Sequence, residues 1–183
     1  MNNPKNTTSK PLLWIALAGI TMFFAGITSA VIVSRPTDSW IHFPIPDWFL
    51  YSTFVIITSS LLLVIAKDQI KKDNSIFSLV FSVFLLGILF TFCQFMGWKE
   101  LTNVHEVYFT GSKSSPSESF FYVLTAAHLA HLFGGLIALL MISINAKKHK
   151  YNSEDYLGLE LASTYWHYLG ILWIYLYLFL KFI

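Results

Sequence analysis

Long apolar runs separated by polar stretches organise this chain. Five of them stand out: Pro11–Val33, Trp48–Ala66, Ser75–Trp98, Phe120–Ile144 and Leu157–Ile183. A helix rises about 1.5 Å per residue and the hydrocarbon core of a bilayer is about 30 Å thick, so about 20 residues cross it. The pattern therefore predicts an all-α integral membrane protein, a bundle of five transmembrane helices forming a single membrane domain over residues 1–183. Met1–Lys10 reads as a polar tail. Lys5 and Lys10 before the first run, with Thr28-Ser29-Ala30 near its end, resemble a secretory signal. The run is longer than a signal peptide's apolar region of about 7–15 residues, which favours an uncleaved first helix.

Lys and Arg orient the bundle. One side would hold Lys5, Lys10, Lys67, Lys71, Lys72, Lys147, Lys148 and Lys150, and the other Arg35, Lys99, Lys113 and Lys181. The positive-inside rule then places the N-terminus in the cytoplasm and the C-terminus outside. Trp40, Trp48, Tyr51, Trp98 and Tyr108 cluster at the outer ends of the second and third helices, as an aromatic belt would. The polar stretch Lys99–Ser119, with Gly111 and Pro116, is the longest connection; a solvated link and a docking surface both suit it.

The fourth run has no Asp, Glu, Lys or Arg, and its ionisable groups are His128 and His131, three residues apart and on nearly the same helical face. Ala126, Ala130, Gly134 and Ala138 form a ridge of small residues, the pattern that lets helices approach closely in lipid. The spacing predicts a helix-contact surface there. In the fifth run, Glu160, Ser163, Thr164 and His167 share one polar face, with Glu160 near the cytoplasmic end and His167 near mid-membrane. The third run adds Thr91 and Gln94. Mid-membrane imidazoles admit three readings: interhelical hydrogen bonds, a proton relay or polar lipid site, or a haem held by His128 or His131 with His167. The remaining histidines, His42, His105 and His149, lie in connections. We expect His128, His131, Glu160 and His167 to form one hydrogen-bonded or headgroup site between the fourth and fifth helices. Lys147, Lys148 and Lys150 lie close enough in sequence to receive a phosphate.

Composition narrows the classes. Charged residues make up 12% against about 25% in soluble domains. A net charge of +2 without a basic, aromatic-interleaved patch gives no footprint for nucleic acid. The single Cys93 excludes an intrachain disulfide and any Cys-ligated cluster. No Walker sequence, glycine-rich dinucleotide fingerprint or HExxH is present, and no Ser, His and acid are spaced for a triad. The unbroken, unrepeated helices do not resemble a transporter, and their odd number suits a subunit of something larger.

Several stretches together resemble the subunit III family of haem–copper oxidases, in its short five-helix form. Tyr165-Trp166-His167-Tyr168, continuing to Trp173, is similar to that family's YWHFVDVVW, and Glu160 stands seven residues before the His, as in the family. Thr125 to Gly134 resembles TGFHGLHVxxG, Leu86 to Gln94 resembles LGxxFTxxQ, and Ser52-Thr53 with Ser59-Ser60 resembles STxxLLxSS. The likeness runs from about Leu13 to Tyr177. Two family acids are absent, an Asp where Gly170 stands and a Glu where Ile20 stands.

The resemblance implies an accessory, non-catalytic subunit of a proton-pumping terminal oxidase in aerobic respiration, a multi-pass protein of the bacterial inner membrane. It implies no cofactor or metal on this chain, with haem and copper in partner subunits and phospholipid bound within the fold. Its main contact would be subunit I, with subunit II and other oxidase subunits nearby. It implies that the chain supports assembly, proton uptake and the catalytic lifetime of subunit I. The resemblance points first to cytochrome c oxidase; the alternative within the same fold is subunit III of a quinol oxidase, or the related accessory protein of nitric oxide reduction. A small b-type cytochrome is the alternative of another class.

Overall fold

Each apolar run folds as one continuous helix, and the first, second and fourth helices outlast their apolar stretch at both ends, because backbone hydrogen bonding carries on into the polar turns there. A computed structural model describes residues 4–36, 40, 43–72, 74–104, 106–107, 109, 115–148, 151 and 156–183. Its helices are α1 (Pro4–Ser34), α2 (Asp47–Lys71), α3 (Phe77–Val104), α4 (Pro116–Lys147) and α5 (Leu157–Phe182). His42, Tyr108, His105, Gly111, Lys113, His149 and Lys150 lie outside the described residues, as does the side chain of Lys5.

The start of α4 shows how local chemistry extends a helix. Ser115 caps it: its hydroxyl accepts from the Glu118 N–H at 3.4 Å, and its own N–H donates to Glu118 Oε2 at 3.2 Å. This reciprocal box, with Pro116 in the first turn, begins the helix four residues ahead of its apolar run. The connection from α3 is correspondingly shorter than the polar stretch suggests. Glu106 takes a left-handed φ of 53°, and the Val107 N–H bonds Leu101 O at 3.1 Å. Tyr122 then donates to Val107 O at 3.0 Å, holding the connection onto α4.

Helices α2, α3, α4 and α5 form a closed ring, each packed on the next and α5 returning to α2. Their shared core holds Phe49, Ile56, Leu63, Phe90, Leu132, Leu139, Trp166 and Trp173, all at most 1% exposed. Helix α1 sits outside the ring against α4 and α5. It runs parallel to α5, since Lys10 meets Glu160 at one end and Thr28 meets Tyr175 towards the other.

Among the described residues, four helices are long and apolar enough to cross a membrane: Thr8–Ser34 within α1, and all of α2, α3 and α4. Helix α5 has comparable length, but its Tyr, Trp, Glu and His residues dilute its apolar character.

The closest helix approaches do not fall on the expected small-residue ridge. Ala126, Ala130 and Gly134 are exposed and Ala138 is half-buried. A Cβ built on Gly134 would meet only the Tyr165 hydroxyl, at 3.6 Å. The tight contacts are elsewhere. A Cβ on Gly87 would lie 2.6 Å from Leu136 and 2.7 Å from Trp166, and one on Gly97 would lie 2.6 Å from the Phe49 ring. Large aromatic rings, not facing backbones, make these glycines necessary. Within the chain the ridge is therefore uncovered, a correction to the spacing argument: periodicity finds a face but not what lies against it.

Candidate functional site

The buried polar chemistry is concentrated on hydroxyls, indoles and one amide that meet between helices. Trp166 Nε1 donates to Ser59 Oγ at 2.9 Å, and Trp173 Nε1 donates to Thr53 Oγ1 at 3.0 Å, tying α5 to α2 twice. Gln94 Nε2 donates to Ser52 Oγ at 2.9 Å between α3 and α2. Trp98 Nε1 donates to Thr125 Oγ1 at 3.1 Å between α3 and α4. In hydrocarbon a polar group finds its partner inside the protein or pays for its absence, so each pair fixes the register of two helices. Each hydroxyl also satisfies a carbonyl of its own helix: Ser59 bonds Ile56 O, Ser52 and Thr53 bond Phe49 O, and Thr125 bonds Phe121 O, all within 2.9 Å.

The expected histidine and glutamate site divides into separate places. His128 is fully buried, with its ring 5.1 Å from Trp173, 6.0 Å from Phe90 and 6.5 Å from Phe24. His131 faces α1, with its ring 5.6 Å from Phe24; its Nδ1 lies 2.7 Å from Ala127 O, and its own carbonyl accepts from the Tyr165 hydroxyl at 3.0 Å. Glu160 pairs with Lys10 of α1 at 2.8 Å on the surface. His167 lines a groove of about 350 Å³ between α2 and α5, with Ile56, Ser60, Val64 and Gly170. The structure thus leaves His167 and Glu160 on edges of α5 that do not face α4, and it joins neither to His128 or His131.

Helix geometry explains the division. Tyr165 and Trp166 occupy the faces of α5 turned towards α4 and the core, so His167, the next residue, is swung towards the α2 edge. For the same reason His128 and His167 do not face one another as haem ligands would. His128 is enclosed by three aromatic rings, a poor fit to a porphyrin. Among the described residues no three His, Cys, Asp or Glu side chains converge as a metal site.

A second groove, of about 490 Å³, runs between α4 and α5; Leu13 of α1, Gly134, Ala138, Met141 and Tyr165 line it. The sequence reading missed Ser52, Thr53, Ser59, Thr125, Trp166 and Trp173 as functional contacts. Their signal was present: hydroxyls inside apolar helices, and Trp at a seven-residue interval on a facing helix.

The geometry describes a helical membrane protein whose buried polar side chains mostly answer one another across helices. Comparison with known proteins gives that class its family. The profile of the family "Cytochrome c oxidase subunit III" matches residues 42–183. A probable cytochrome c oxidase subunit 3 of Nocardia farcinica (strain IFM 10152) is 29% identical, over 95% of this chain and 86% of its own length. The cytochrome bo(3) ubiquinol oxidase subunit 3 of Buchnera aphidicola subsp. Acyrthosiphon pisum (strain APS) is 30% identical, over 88% and 80%. Cytochrome c oxidase subunit 3 of Hippopotamus amphibius is 28% identical over 70% of this chain, but over only 47% of its own length. The chain belongs to the cytochrome c oxidase subunit III family, the third subunits of terminal oxidases.

Proposed function

We propose that this chain is an accessory, non-catalytic subunit that holds lipid against, and prolongs the working life of, the catalytic subunit of a terminal oxidase. The observation that carries the reading is the destination of its motif residues. Ser52, Thr53, Ser59, Gln94, Thr125, Trp166 and Trp173 are engaged with one another across helices. They build a scaffold. Electron entry and oxygen chemistry then belong to the partner subunits, with subunit I as the main contact and subunit II nearby. The relatives include both cytochrome c and ubiquinol oxidases by name, in keeping with a donor chosen outside this subunit.

The grooves at His167 and at Gly134 suit phospholipid acyl chains, being apolar-walled and open on the bundle's side. Helix α5 crosses the membrane with the other four, parallel to α1. Lys10, Lys67, Lys71, Lys72, Lys147 and Lys148 gather at one end of the alternating bundle, where the Lys147 ammonium lies 5.9 Å from the centre of the Phe77 ring at the start of α3. By the positive-inside rule that end is cytoplasmic, the C-terminus is outside, and the membrane is the bacterial plasma membrane. Residues 1–183 act as one membrane domain.

Co-purification and turnover test the function. The chain should purify with a haem–copper subunit, and the oxidase lacking it should start at a near-normal rate and then lose activity faster during turnover. A stoichiometric haem Soret band on the isolated chain would overturn this reading. So would a fully assembled oxidase whose activity vanishes at once when the chain is removed.

A further inference from the structure

Among the described residues, four buried side-chain atoms have no hydrogen-bond partner: Gln94 Oε1, His128 Nδ1, His128 Nε2 and Ser163 Oγ. A serine hydroxyl in a helix can turn to a carbonyl of its own preceding turn, so Ser163 has a local remedy. In this structure Gln94 Oε1 and the His128 ring make no such bond. Gln94 is 1% exposed and His128 is 0% exposed.

The contacts around these two side chains bring them to one level of the bundle. Phe90 and Gln94 are one turn apart on the same face of α3. The Phe90 ring lies 6.0 Å from His128 and 5.2 Å from Trp173. His128 lies 5.1 Å from Trp173, which donates to Thr53, and the neighbouring Ser52 receives the Gln94 amide. A closed circuit of contacts thus runs through α2, α3, α4 and α5. Inside it remain an amide oxygen that only accepts and an imidazole that, when neutral, offers one donor and one acceptor. Phe24, Phe90 and Trp173 supply hydrocarbon and ring faces to the imidazole, which cannot replace a hydrogen bond.

We propose that Gln94 and His128 together bind one internal water, which bridges α3 to α4 at the centre of the bundle. Water suits two of the three unmet atoms, because it donates to the amide oxygen while accepting from the ring N–H, or donates to both the amide oxygen and the bare nitrogen; the other ring nitrogen keeps its aromatic neighbours. Buried waters commonly take about three such bonds from groups the protein leaves unpaired. The bridge would join Gln94 to one nitrogen of His128 and set the register of α3 against α4. The proposal deepens the scaffold reading and rests on it, since its experiment uses the assembled oxidase.

The experiment is a structure of the wild-type oxidase complex with ordered solvent resolved, paired with the variants His128→Phe and Gln94→Met. A water-sized density within hydrogen-bond reach of both Gln94 Oε1 and a His128 nitrogen is expected. Each single variant should lower the temperature at which the subunit leaves the complex by several degrees, and the double variant should be no worse than the more severe single. An empty site, a direct Gln94–His128 bond, an unchanged release temperature in His128→Phe, or additive losses would each overturn the proposal. The density is read on wild-type protein, so a variant that fails to assemble does not rescue it. The initial oxygen-consumption rate of the same preparations tests the scaffold reading separately.

Discussion

Gly87 and Gly134 are the same residue in similar apolar helices, and their surroundings separate them. At Gly87 an added methyl group meets Leu136 and Trp166 well inside contact distance, whereas at Gly134 it meets the Tyr165 hydroxyl at an ordinary separation. Gly87→Ala should therefore destabilise by about 1–3 kcal/mol through overpacking, and Gly134→Ala should stay within about 0.5 kcal/mol of the parent. Thermal melting of the two variants checks the contrast, and equal effects would mean that the Trp166 ring yields. The indole bonds permit a second residue-level test. Trp166→Phe and Ser59→Ala remove the two halves of one 2.9 Å bond. A double-mutant cycle should give a coupling of about 0.6 kcal/mol, and at most ~1.7. A coupling of zero would mean that both side chains serve packing alone.

At the scale of helices, α1 is the element most open to loosening. It lies outside the ring, and among the described residues its polar ties to α5 include Lys10–Glu160, Thr21–Tyr168 at 2.8 Å and Thr28–Tyr175 at 3.2 Å. The ion pair is partly exposed and contributes little, so the hydroxyl pairs and the packing of Leu17, Phe24 and Val31 must hold the helix. Thr21→Val with Thr28→Val should raise amide hydrogen exchange in α1 while α2 to α5 stay protected; uniform exchange across all five helices would contradict this. The uncovered ridge on α4 makes a different prediction. Gly134→Leu should leave the chain's own melting unchanged while weakening its retention in the oxidase, read by co-purification. Retention at the parental level would mean that neither a partner helix nor the lipid proposed for the adjoining groove holds the subunit through Gly134.

For the whole molecule, the separation of His167 from His128 and His131 changes what its loss should do. It lines an open groove against α2 and Ser60, and among the described residues the buried bonds that tie α5 to α2 run through Trp166 and Trp173. His167→Ala should leave the partner haem content and the initial oxygen-reduction rate close to the parent, and should shorten activity during sustained turnover. Haem spectra and oxygen-electrode traces on the assembled complex measure both. An immediate loss of rate would mean that this subunit takes part in the chemistry.

The five helices were readable from the chain because each is a long, mostly apolar run, and four of the described helices are long and apolar enough to cross hydrocarbon, a condition a segment meets or fails without reference to its neighbours. The family was readable too, since Ser52-Thr53, Gln94, Thr125 and Trp166-His167 stand in order along the helices. Pairing was not. Helical phase puts His128 and His131 on one face and Glu160 and His167 on another, but it cannot say which neighbour each face meets. That depends on how α5 is rotated between α1, α2 and α4, and the bulk of Trp166 and Trp173 sets that rotation by filling the core beside Gly87, Gly135 and Phe49. Once those rings are seated, the hydroxyls of α2 become their partners, His128 is sealed inside, and His167 is left on the outer edge. One-dimensional spacing determined the elements and their order; the packing of two large side chains decided which polar groups meet.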